Sequence, residues 1–508
     1  MTLTFAALSV CALVFVQCGK QAAVGASRSV DRPAKIRPDY CGVVIPPNIA
    51  PLNFLIEENG AGHYVKIYSK DGDPIEIHSR KPDIEIPVDR WKKLLDSNRG
   101  RKLYFEVSVK DRENNWSRFE PIENSITQEE IDPYLAYRRI QLCLIWRNLG
   151  IYQRNLENYD ESVVLHNRSF GYGCVNCHTF LNNDPNHMVL QTRSGAYGTP
   201  MLLVENDEVM PKRVKSDQTS GKVNFVAWHP SGKLLAISDN KFQMLIHTNA
   251  EEVRDVFDHA SDLDLYRVET GEVISNSKIS NPKRMETFPE WSRDGRYLYF
   301  CSAPQLPEEL YHQVRCDLMR IRYDMESGEW GELETVLTAK EVNGSINQPR
   351  FSPDGRFLLF NVADHSDFPV DKLKSDLHML DLSNGEHRRL SISSEQNESW
   401  HSWSSNSRWI VFSSRRIDGR FSRPFISYVD ETGEAHKPFV LPQKDPAYYD
   451  KLVWVLQVPE LIKSPIQVKG SQLSEAIVSY KKLIPGQASS WEPGTANTNA
   501  NAGSQYEQ

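Results

Sequence analysis

Between residues 40 and 126, apolar and polar side chains alternate in short runs: LNFLIEE (52–58), HYVKIYS (63–69), PIEIHS (74–79) and KLYFEVSVKD (102–111). A period of two belongs to a half-buried β-strand, and turn formers such as Lys70-Asp71-Gly72-Asp73 separate the runs. From Thr127 the period lengthens. Thr127-Gln128-Glu129-Glu130 reads as a capping box, and Leu135, Ile140, Leu144 and Leu149 follow at helical spacing. The pattern predicts a helical linker over 127–187, with Pro133 in its opening turns and a break at Gly150.

From Met188 the chain returns to strands, and they repeat. FVAWHPSGKLLAIS (225–238), FPEWSRDGRYLYFCS (288–302), QPRFSPDGRFLLFN (348–361) and SWHSWSSNSRWIVFSS (399–414) share an aromatic anchor, a polar turn and an alternating strand. The anchors are Trp228, Trp291, Phe351 and Trp403. Each segment is followed by a strand ending in a turn: LDLYRVETGEV (263–273), LMRIRYDMESGEW (318–330), LHMLDLSNGEH (377–387) and FISYVDETGEAH (425–436). Four strands in a period of roughly 40–60 residues make a β-propeller blade. Met188–Arg213 reads as a further blade without its anchor, and Tyr448–Glu460 as the strand that closes the ring. The expectation is a propeller over 188–460 with six blades. Ser-Arg-Asp-Gly (292–295) and Ser-Pro-Asp-Gly (352–355) are read as structural turns, with Asp accepting backbone hydrogen bonds and Gly supplying a positive φ.

The termini differ from the middle. Phe5–Val16 is apolar except for Ser9, too short to span a bilayer comfortably and of the right length for a signal peptide. Phe15-Val16-Gln17-Cys18-Gly19-Lys20 resembles a bacterial lipoprotein box, which makes Cys18 the expected lipidation site of a leader over 1–18. Residues 19–38 read as a flexible tether. Within the C-terminal segment, 461–508, the Asn/Ala/Gly/Ser-rich tail from Gly486 reads as disordered. The whole chain has 508 residues, 40% hydrophobic and 25% charged, and a net charge of −8. That balance excludes global disorder and gives no electrostatic footprint for nucleic acid.

The chemistry concentrates in one stretch. Cys174-Val175-Asn176-Cys177-His178 has the C-x-x-C-H spacing of covalent haem c attachment. Two thiols add to the two vinyl groups of one haem, and the adjacent histidine binds the iron. Two other readings stay open. A bare Cys-x-x-Cys can be a redox disulfide, although the usual thioredoxin-like context is absent. Half of a zinc site would have to recruit Cys143, His166 or His187 at irregular spacing. For the second axial position Met188 is the leading candidate and His187 its rival; the alternative for Met188 is a place in the propeller core. Arg168 and Arg193 flank the motif and are candidates to pair with the haem propionates. Cys301 and Cys316 are close enough in sequence to bridge, and equally suited to burial as small apolar side chains.

The W/F-S-x-D-G-x-x-L-x-F strand followed by D-L and a Gly-Glu turn resembles the WD40-like repeats of TolB-type propellers. The order of leader, sandwich, haem motif and propeller resembles a group of exported bacterial proteins, often from Bacteroidota, named loosely as TolB-like or cytochrome c biosynthesis proteins. The tract Pro38–Phe54 is similar to the start of their mature region. The fold implied is mainly β: a fibronectin- or immunoglobulin-like sandwich over 39–126, the helical linker and the propeller. The function implied is an exported, membrane-anchored haem c propeller, periplasmic or on the cell surface. It would serve electron transfer or redox-linked docking of a protein partner. The alternative is a non-enzymatic binding propeller with a structural cysteine pair. A hydrolase ranks lowest, since the chain has no Gly-x-Ser-x-Gly elbow.

Overall fold

The computed structural model describes residues 27–141, 148–214, 223–246, 254–366, 368–369 and 372–483. The leader, Cys18 and the C-terminal tail therefore lie outside the described residues, as do Cys143, Leu144 and Arg147.

The N-terminal part is β-rich, as its alternation predicts. The strand Lys102–Lys110 is central to a seven-stranded sheet, and Phe54–Ile56 to a three-stranded one. Phe54, Val65, Ile67 and Phe105 fill the core. Three features depart from the expectation. Residues 27–33 are not tether: they form a strand that pairs in parallel with Trp116–Glu120. A second parallel pair joins Val44–Ile45 to Ile122–Ile126. Val88–Asp96 is a helix that buries Trp91, Leu94 and Leu95, a 3–4 spacing masked in the sequence by Lys92 and Lys93.

The expected helical linker is not helical. Residues 134–193 form the strands Tyr134–Gln141, Leu149–Asn155, Glu161–His166, Cys174–Leu181 and Asp184–Arg193. Leu135, Ala136 and Tyr137 are all buried, because the strand is covered on both faces. Apolar residues on both faces erase the period of two and leave an accidental helical spacing. Thr127 caps no helix. Its hydroxyl donates to the Glu129 carbonyl at 2.8 Å in a turn between the two parts.

Six four-stranded antiparallel sheets follow, so the count of six stands while the propeller begins near Tyr134 rather than Met188. Blade one is composite: Tyr134–Gln141, Leu149–Asn155 and Glu161–His166 are completed by Trp454–Ile462. The chain's late strand thus closes the ring on its early ones. Blade two begins with Cys174–Leu181, blade three with Phe225–Trp228, blade four with Arg284–Trp291, blade five with Ser345–Phe351 and blade six with Glu398–Trp403. With Trp454–Ile462 these are the innermost strands, each next to its neighbours around the axis.

The repeat motifs hold the blades in register. The anchors Trp228, Trp291, Phe351 and Trp403 end the inner strands. In the turns that follow, Ser292 and Ser352 accept hydrogen bonds from the backbone of Tyr297 and Phe357 at 3.0 and 2.9 Å. Gly295 and Gly355 have φ of 72° and 74°, which explains the Asp-Gly pair. The turns also join one blade to the next: His229 Nε2 meets the Gly295 carbonyl at 2.9 Å, and Ser407 accepts from the Asp354 backbone at 2.9 Å.

The N-terminal part docks on blades one and six. Asn53 donates to the Lys444 carbonyl at 2.9 Å, Lys437 pairs with Asp39 at 2.8 Å, and one apolar core runs through both parts. The C-terminal helix Gly470–Leu483 packs against blades one and two.

Candidate functional site

The Cys-x-x-Cys-His motif occupies the innermost strand of blade two. A register shift lies between Val175 and His178. The inner strands of blades four, five, six and one carry equivalent bulges, at which Phe288, Gln348, Trp400 and Val458 take φ of 49°, 54°, 49° and 51°. A positive φ in a non-glycine residue costs about 1–3 kcal/mol, so a ring of such kinks marks a place where the chain is held against its preference. The kinks turn these residues onto the axis, where they enclose a chamber of about 40 Å³.

Cys177 and His178 line that chamber together with Gln191, Phe225, Trp400 and His401. Both motif thiols are buried and free. Burial pushes the Cys177 thiol up to about 11, and it raises that of Cys174 too, against the opposing charges of Arg138 and Arg193. Both are neutral thiols at physiological pH. Burial also drives His178 down to about 3, helped by the charge of Arg138, so its imidazole is neutral. The ring faces the Ala136 carbonyl, yet neither of its nitrogens makes a hydrogen bond of normal geometry. Other polar atoms at the chamber share this condition: Gln191 Oε1, Gln348 Nε2 and Trp400 Nε1. His401 contrasts with His178, because its two nitrogens rest against Asn361 and the Leu359 carbonyl, both at 3.1 Å.

A second chamber of about 60 Å³ continues along the axis, sharing Thr179 and Arg350 with the first. Here Arg350 from blade five lies between Glu290 of blade four, at 3.7 Å, and Glu460 of the closing strand, at 3.3 Å. Burial raises both carboxyls, Glu460 to about 7, even against the Arg350 charge.

The other expected site residues fall elsewhere. Met188 is fully buried, opposite Phe180, while His178 is opposite Leu190. The strand alternation puts His178 and Met188 on the same face of the blade. Met188 packs there with Val175, Phe180 and Leu202 in the core shared with blade one. His187 is half-buried and lies 3.3 Å from Asp184. Arg193 is directly opposite Cys174, whereas Arg168 is at the surface beside Asn148. Cys301 and Cys316 are buried in the core around blades four and five.

The donor set therefore suits a haem: two free thiols, a neutral imidazole with no hydrogen bond of normal geometry, and Arg138 and Arg193 close by. The space does not yet suit it. A cofactor pocket is usually ~300–1,000 Å³, and the chamber has room only for a few waters.

No family model matches the chain, and no curated protein matches it. Among solved structures, a chain of the nidogen/laminin complex aligns at TM-score 0.38 and 7% identity, over 65% of this chain and 100% of that one. The Dos1 propeller aligns at 0.33 and 12%, over 54% and 63%. Oligogalacturonate lyase from Vibrio parahaemolyticus aligns at 0.34 and 13%, over 74% and 100%. At these scores the likeness adds nothing to the strand order.

The charged residues of the axial network escape a reading of the motifs alone. One signal for them exists: Phe288-Pro289-Glu290-Trp291, Gln348-Pro349-Arg350-Phe351 and Val458-Pro459-Glu460-Leu461 repeat a Pro-charged-apolar step. It places a charged side chain at the same height on three inner strands.

Proposed function

We propose that this chain is an exported haem c-binding β-propeller, serving electron transfer or redox-linked docking of a protein partner. Cys174 and Cys177 would hold the group and His178 would bind its iron. One observation carries the reading: free thiols at that spacing accompany a buried, neutral histidine whose ring makes no hydrogen bond of normal geometry, on an innermost strand. An imidazole left without partners costs free energy unless something binds it. The haem would supply one-electron chemistry. The chain's own contribution is to exclude water, keep His178 unprotonated and set positive charge from Arg138 and Arg193 beside the thiols. Met188 shares a face with His178, so it does not stand across a gap from it.

The test is expression in a host that matures cytochromes c. Haem should survive denaturing electrophoresis, and Cys174→Ala with Cys177→Ala should abolish it while the propeller stays folded. A colourless wild-type protein refutes the reading. Export through a lipidated Cys18 belongs to the same proposal: Cys18→Ala should move the mature protein from the membrane to the soluble fraction. Unchanged fractionation, with no acyl mass on the mature N-terminus, would leave a plain leader.

The second reading is a binding propeller in which the two cysteines are structural. The small chamber and the protonated thiols favour it. It predicts a colourless protein whose double cysteine variant is destabilised.

A further inference from the structure

The second axial chamber carries charged groups that the haem motif does not use. Arg350, Glu290, Glu460 and Arg293 line it, and none of Cys174, Cys177 and His178 does. Its volume of about 60 Å³ is room for roughly four to six waters at about 10–15 Å³ each, the space of a molecule with about five or six non-hydrogen atoms. The chamber lies where the inner strands end in turns. Asn182, one of its walls, is exposed at the tip of the first hairpin of blade two, which gives a way in from solvent.

Arg350 is short of acceptors. Its guanidinium can donate from every nitrogen, yet among the described residues it makes a single hydrogen bond, to Glu460 at 3.3 Å. Arg350 is deep within the ring, and still 29% of its side-chain surface is accessible, because it lines both axial chambers. The carboxyls are short of donors. Glu290 and Glu460 share this one guanidinium at 3.7 and 3.3 Å, longer than the ~2.7–2.9 Å of a charge-assisted hydrogen bond. Neither forms another ion pair among the described residues. Arg293, the second guanidinium, is turned to the backbone and donates to the Ser352 and Phe351 carbonyls at 3.3 and 3.0 Å.

We propose that this chamber binds a small zwitterion, an α-amino acid of the size of glycine or alanine, with its carboxylate on Arg350 and its ammonium group against Glu290 and Glu460. A guanidinium fork takes a carboxylate through two N–H groups at once. An ammonium group brings the donors that the two glutamates lack. A simple anion would meet Arg350 and be repelled by both glutamates, and a simple cation would meet the reverse. Two arginines and two glutamates sum to no net charge when all are ionised, and a ligand without net charge keeps that balance. The site goes beyond the haem reading and does not depend on it.

The experiment uses the full chain from a host that does not mature cytochromes c. Glycine, acetate and methylammonium are titrated by isothermal calorimetry at constant ionic strength and about pH 8, above the Glu460 value of about 7. Glycine should saturate at one molecule per chain. Acetate and methylammonium, each with half of its charges, should bind at least about tenfold more weakly. Glu460→Gln keeps the shape of the side chain and removes its charge, so it should weaken glycine about tenfold without weakening acetate. Arg350→Lys keeps the charge and loses the fork, so it should weaken both. Acetate as tight as glycine would make the chamber an anion site, and methylammonium as tight would make it a cation site; either result overturns the proposal. So does the absence of saturation with millimolar glycine, or a Glu460→Gln affinity for glycine within about twofold of the native one. The titration needs no haem, so a colourless protein from a maturing host would refute the proposed function and leave this test standing.

Discussion

Glu460→Gln tests the axial charge network directly. Glu460 is on the strand that closes the ring, 3.3 Å from Arg350, and burial lifts its carboxyl from 4.5 to about 7. A raised carboxyl means the folded state holds the proton more tightly than the unfolded one. Stability from this group is complete below about 4.5 and is lost as pH rises through about 7. At ~1.4 kcal/mol per pH unit, the gap corresponds to ~3 kcal/mol. The neutral histidines work in the opposite sense: His178 and His401 are both held down to about 3, so their contribution is complete above 6.5 and is lost as pH falls through 3. The wild-type profile mixes these terms, and the difference between variant and wild type isolates Glu460. Relative to wild type, Glu460→Gln should gain ~3 kcal/mol between pH 4.5 and 8, in a nearly linear rise from about 4.5 that levels off above about 7. Its level at low pH should sit close to wild type, because the protonated acid and the amide resemble each other. Denaturant midpoints measured every half pH unit give the curve. A flat difference across that range would mean that Glu460 is ionised in the folded state throughout, and the account of the axial network would fail.

Met188→Ala should cost about 2–5 kcal/mol as a core truncation. It should leave the visible spectrum of the haem-loaded protein unchanged; loss of a thioether charge-transfer band at the red edge would instead make Met188 a ligand. Gly295→Ala should destabilise by about 1–3 kcal/mol, because φ is 72° and the new Cβ would lie 2.5 Å from His229 Nε2. Gly355→Ala, at φ 74° but 3.4 Å from its nearest neighbour, should cost less in the same denaturation assay.

The propeller was legible because its information is local. Anchor, turn and alternating strand lie within fifteen residues of each other, and Trp291-Ser292-Arg293-Asp294-Gly295 carries its own hydrogen-bond plan. The closing strand was legible, but the early strands of blade one were not, because Trp454–Ile462, with which Tyr134–Gln141 pairs, comes some three hundred residues later. Without that partner, Tyr134–Gln141 shows no reason to be a strand. The same omission hid the context of the haem motif: read as part of a helix, Cys174–His178 belonged to a linker, whereas the closed ring makes it an axial strand.

Chemistry and placement therefore separate at this site. The motif names its residues from spacing alone, but it does not say which way they face. That depends on the shift between Val175 and His178, which keeps both on one face of the sheet although three positions separate them. Met188 is decided by the same pairing: ten residues after His178, it would cross a haem if the chain looped freely. In a hairpin with Asn182-Asn183 at its tip, strand alternation returns it to the histidine's own face. A ligand on the far side of the iron would have to come from another blade or from solvent. The chamber wall opposite is built by blades four to six, where His401 is already engaged with Asn361 and Leu359. Should the motif hold a haem, neither Met188 nor His401 would be placed to bind its iron opposite His178, and spectral titration of the loaded protein with imidazole would test for an open position.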